Sequence, residues 1–79
     1  MNYVVTELQT NNGTTATLTN VFDSFPLAEQ KFYQILSFAV VSEVEIHAAF
    51  IVDENGFMLK TESYKHPKEE PEVSAEPEE

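Results

Sequence analysis

The sequence predicts an α+β fold of order ββαββ, a four-stranded antiparallel sheet with one helix packed on one face. Three observations point to it. Two stretches rich in β-branched and aromatic residues are each interrupted by an Asn-Gly turn. One amphipathic stretch lies between them. The 79-residue length allows a single small domain.

The first strand is read from Tyr-Val-Val-Thr-Glu-Leu-Gln-Thr, residues 3–10, because such side chains suit a pleated, half-buried surface. Asn11-Asn12-Gly13 follows, residues that tolerate positive φ at low cost. The second strand resumes at Thr14, where Thr alternates with Ala16, Leu18 and Asn20 up to Phe22. Asp23 or Ser24 can cap a helix, and Pro26 suits its first turn, where a missing N–H costs nothing. Phe25, Ala28, Phe32, Ile35, Leu36 and Ala39 then recur at helical spacing as one apolar stripe. Phe38, Val40 and Val41 make the last turn apolar nearly all round, as a buried turn or one facing a partner would be. In the second hairpin Val44, Ile46, Ala48, Phe50 and Val52 alternate with Glu45, His47, Ala49, Ile51 and Asp53. Asp53-Glu54-Asn55-Gly56 makes the turn, and Phe57 to Tyr64 completes the pair.

Strand order 2-1-3-4 satisfies the strand directions. The inner face is then expected to hold Val4, Leu8, Leu18, Phe22, Val44, Ile46, Ala48, Phe50, Phe57 and Leu59. The outer face takes Tyr3, Val5, Ala49, Ile51, Met58 and Tyr64, with Glu7, Glu45, His47, Lys60 and Glu62 among them. Those six apolar and aromatic residues are the candidate interface, since an apolar patch left open usually marks a contact surface. A fold of this size buries a modest share of its surface, and oligomerisation is one common remedy.

The net charge is −10, and half of it, −5, sits in residues 67–79. That Pro- and Glu-rich segment holds one large apolar residue, Val73, and is expected to be a disordered acidic tail beyond a domain at 1–66. It can serve as a solubilising extension or meet a basic surface. Four Lys and no Arg cannot neutralise a row of phosphates, so nucleic acid is not an expected partner. An anionic membrane would repel the chain, and its longest uncharged apolar stretch, Ile35 to Ser42, is too short to span one. The start of the chain lacks the features of a signal peptide. Without Cys there is no disulfide framework, thiolate zinc site or cysteine nucleophile. A cytoplasmic or virion-associated protein is expected.

No catalytic, cofactor or metal site is expected. His47 and His66 are the only candidate bases or ring-nitrogen ligands. His47 reads as a sheet-face residue beside carboxylates, with Glu7 or Glu62 as the nearest help for a ligand role. His66 reads as a solvated terminal residue. Asp53 to Gly56 faintly resembles a calcium loop, but the bidentate Glu needed at loop position twelve is replaced by Tyr64. Both glycines, Gly13 and Gly56, sit in turns, so no phosphate loop exists. Glu43 and Glu45 read as charges that protect a strand start from mispairing.

Three segments carry a resemblance to a known group. They are Ala28 to Phe32 with the Val41-Ser42 pair after the helix, Val44 to Ala49, and Lys60 to His66. Together with the Thr-rich hairpin at 3–22 they are similar to short phage and prophage proteins of Gram-positive gut bacteria. The resemblance implies a phage or prophage origin and brings no activity. The expected function is therefore protein–protein contact without catalysis, with the chain itself or another protein as partner. The alternative is an acidic inhibitor of a host defence or nucleic-acid-processing enzyme, acting by charge mimicry.

Overall fold

A computed structural model describes residues 1–66; the acidic segment 67–79, expected to be disordered, lies outside the described residues. The element order is β1 (Tyr3–Asn11), β2 (Thr14–Phe22), α1 (Phe25–Ala39), β3 (Ile46–Asp53) and β4 (Met58–Lys65). All neighbouring strands are antiparallel, in the order β2-β1-β3-β4. The expected α+β fold and its strand order are both found.

Each boundary has a local cause. Asn12 and Gly13 adopt φ of 54° and 79°, the left-handed pair that a two-residue hairpin turn requires. Ser24 caps α1, its hydroxyl accepting from the Leu27 N–H at 3.4 Å, and Pro26 sits in the first turn. In the second turn the Asp53 carboxylate accepts from the N–H groups of Asn55 and Phe57, at 2.9 and 3.1 Å. Gly56 closes that turn with φ of 89° and an N–H donated to the Asp53 carbonyl. Val44 and Phe57, expected in strands, fall just outside them.

The helix stripe is as expected: Ala28, Phe32, Ile35 and Ala39 are buried, with Phe25 and Leu36 packed at the margin. For β2 the covered side is the expected one, with Leu18 and Phe22 on it, but β1, β3 and β4 present their other face to the helix. Val5, Ala49 and Ile51 are 0% exposed and form the core with the helix. Tyr3 packs against the same core, its ring 5.5 Å from that of Phe25. Tyr64 lies across from His47 on the helix side. Of the six residues expected on an open face, Met58 alone stands opposite an open-face residue, Val52. Glu7 and His47 are likewise on the covered side.

The reason lies in one residue of the first turn. A three-residue turn at 11–13 would pair even-numbered residues of β1 with even-numbered residues of β2. Instead β1 runs through Asn11, which pairs with Thr14, so Tyr3 stands opposite Phe22 and Val5 opposite Asn20. A shift of one residue moves a whole set of side chains to the opposite face. Phe22 is joined to Phe25 by two residues and packs on the core, so the strand residues that share its face go under the helix.

Candidate interaction surfaces

The uncovered face is built from the other half of each strand. β1 contributes Val4, Thr6 and Leu8; β2 contributes Thr17, Thr19 and Val21. β3 contributes Ala48, Phe50 and Val52; β4 contributes Thr61, Ser63 and, beyond a bulge, Met58. The Thr6 and Thr19 hydroxyls stand 3.4 Å apart and those of Thr10 and Thr15 2.8 Å apart, which confirms the shared face. Val4, Leu8, Phe50 and Val52 are half-buried, and among the described residues no second layer lies over them. No strand carboxylate points this way: Glu7, Glu62 and Asp53 stand in register on the helix side.

The acids of residues 1–66 are largely engaged within the chain. Glu54 accepts from the Asn2 N–H at 2.7 Å, and Glu45 from the Asn12 N–H at 3.0 Å. Glu45 in turn donates its own N–H to the Asn11 side chain, so it ties the first turn to the start of β3. Its expected role as a charge guarding a strand start becomes a specific link between two loops.

His47 is buried, with its Nε2 2.5 Å from a Glu7 carboxylate oxygen. The same oxygen accepts from the Gln9 side chain at 2.8 Å. The partly exposed sheet-face residue expected from sequence is instead buried on the helix side and held by Glu7, its diagonal neighbour on β1. His66 also departs from expectation. Its Nε2 donates to the Ala39 carbonyl at 2.8 Å, and its N–H to the Glu45 carbonyl at 2.7 Å. It is a second donor to the Ala39 carbonyl, which also accepts from the Ser42 N–H at 3.2 Å, and it fastens α1 to the end of β4. Topology alone brings these residues together, since 27 positions separate them.

A groove of about 690 Å³ lies between α1 and β4, lined by Tyr33, Leu36, Val40, Leu59, Lys60 and Tyr64 among others. Lys60 crosses it, 3.6 Å from Glu29 and 5.5 Å from the centre of the Tyr33 ring. The Tyr33 hydroxyl, with Glu29 second, holds the Lys60 ammonium above the ordinary lysine range. Phe38, in the last turn of the helix, and Val41, just beyond it, stay exposed.

Among the described residues no three His, Asp or Glu side chains converge as a metal site would require, and no helix is long and apolar enough to cross a membrane. No family model, no curated protein and no solved structure matches this chain.

Proposed function

We propose that this chain is a non-enzymatic contact domain that self-associates through its uncovered sheet face. One observation carries the reading. In a chain of net charge −10, the open face bears Val, Leu, Phe, Ala and Thr side chains and no carboxylate. Where carboxylates line the surface, two copies would bring like charges together, which costs free energy. On this face they would bury apolar surface, as the two layers of a sandwich do. The phage or prophage origin implied by the resemblance of residues 28–66 belongs to this proposal, as does a cytoplasmic or virion-associated setting.

Charge mimicry of nucleic acid has less support. Glu7, Glu29, Glu45, Asp53 and Glu54 each hold a hydrogen bond or ion pair inside the domain. They do not form one rigid row of free carboxylates.

Light scattering at ~100 μM tests the reading, a concentration far above the Kd of a useful interface. The parent is expected as a dimer or larger, and Phe50→Lys as a folded, smaller species. A parent that is monomeric at that concentration would overturn the proposal.

A further inference from the structure

The sheet has two edges, and the sequence treats them differently. β4 carries Lys60, Glu62 and Lys65, and its pairing with β3 is shifted by a bulge at Ile51/Val52. Charged side chains and bulges are the usual protection of an edge against strand addition. β2, at the other edge, reads Thr-Thr-Ala-Thr-Leu-Thr-Asn-Val-Phe. It has no charged residue, no Pro, no Gly and no register shift along its nine residues. Eight of the nine are exposed, among them Leu18 at 61%.

The turn fixes which backbone groups of β2 point outward. In a two-residue hairpin the closing pair, here Asn11 and Thr14, is hydrogen-bonded, and bonded pairs then alternate. Thr14, Ala16, Leu18, Asn20 and Phe22 therefore direct their N–H and C=O groups at β1. Thr15, Thr17, Thr19 and Val21 direct theirs away from the sheet. These four outward positions are symmetric about Leu18.

We propose that two copies join β2 to β2, antiparallel, about a two-fold axis at Leu18, to form one continuous eight-stranded sheet. In this register Thr17 stands opposite the second copy's Thr19 and Thr15 opposite its Val21. Every outward N–H then finds a carbonyl. The two Leu18 side chains meet on the helix side, and Thr–Thr pairs, a favourable cross-strand combination, line the other. No charge is brought against a like charge along the contact. The axis is perpendicular to the sheet, so both helices lie on one side and the two open faces become a single larger one. The edge contact is thus separate from the face contact and leaves it free.

The absence of Cys makes a direct test possible. Opposed residues at such a non-hydrogen-bonded position have Cα atoms about 4.5 Å apart, within disulfide range. Leu18→Cys, oxidised in air at ~100 μM, is expected to cross-link at least ~10 times faster than Leu27→Cys, an exposed site on the helix. Thr17→Pro removes an outward N–H and none of the bonds to β1. Combined with Leu18→Cys, it should slow cross-linking by ~10-fold or more. Leu18→Lys changes an already exposed side chain, so it should fold, as circular dichroism would show, and sediment without the edge dimer. Phe50→Lys, on the open face, should leave Leu18→Cys cross-linking unchanged. If Leu18→Cys reacts no faster than Leu27→Cys, or if Phe50→Lys abolishes the reaction while Thr17→Pro leaves it intact, the edge contact is wrong. In the second case the face contact alone survives.

Discussion

The covered and uncovered faces of the sheet have similar shares of apolar residues, yet they do different things. The covered face places Val5, Ala49 and Ile51 under the helix, entirely out of solvent. It also carries the polar groups of the strands: the Glu7–His47 pair beneath the helix end, and Lys60 and Glu62 at the rim. The uncovered face has larger apolar residues at its centre, Phe50 and Leu8, and no carboxylate. Apolar content therefore does not decide which face a helix covers. The chain connection does, because only two residues separate Phe22 from Phe25 and both must enter the same core. Polar groups share the covered face at a cost that pairing reduces: Glu7 engages the His47 Nε2, while the buried Nδ1 has no hydrogen-bond partner among the described residues. The face left open can stay apolar if its chemistry suits a second surface.

Adjacent residues on β3 offer the sharpest way to break this comparison, with the largest expected effect. Ile51→Lys places an ammonium in the core without a partner and should abolish the cooperative unfolding transition. Phe50→Lys, one residue away on the open face, should retain it. A scanning calorimeter distinguishes the two. Equal behaviour would mean the faces are not distinct.

The helix side of the covered layer comes next. Phe32 lies mid-helix, almost fully buried, and Phe32→Ala should cost about 3–5 kcal/mol through lost burial and the cavity left behind. A domain of this size has on the order of 5 kcal/mol in total. The variant should be largely unfolded at 37 °C, while Lys31→Ala should change urea stability by under ~0.5 kcal/mol.

Glu7→Ala would sharpen the polar half of the comparison. It leaves the buried His47 ring without its hydrogen-bond partner, at an expected cost of about 1–3 kcal/mol in urea unfolding. Thr6→Ala, its open-face neighbour, should cost far less, because Thr6 loses only a solvent-accessible hydroxyl contact.

The smallest effect belongs to the rim. The Lys60 ammonium is raised in the folded protein by Tyr33, and next by Glu29. A raised folded-state value means that the charged form is favoured by folding. Its contribution is fully present below the ordinary lysine pKa of about 10.4 and is lost as pH rises through the folded value. The melting temperature of the parent should therefore fall slightly more than that of Lys60→Met between pH 9 and pH 11, a difference that differential scanning fluorimetry would detect. An equal fall in both would show that the groove contacts of Lys60 add nothing.

The sequence by itself determined the fold class, the element order and the strand order. Asn-Gly turns, a capped helix with one stripe, and period-two strands each specify local structure, and strand directions leave few ways to join them. It also specified which helix face is buried, because the Phe32 stripe has no apolar rival of equal width. The face of the sheet that meets the helix was decided in three dimensions. Both faces alternate with equal regularity, so the choice hung on whether Asn11 belongs to the turn or to the strand, and a single residue reverses it. His66 at the Ala39 carbonyl, Glu45 between the first turn and β3, and Lys60 between Tyr33 and Glu29 are also products of tertiary structure. Their partners are remote in sequence or on another element, and no local spacing encodes a contact that exists only once the sheet has formed.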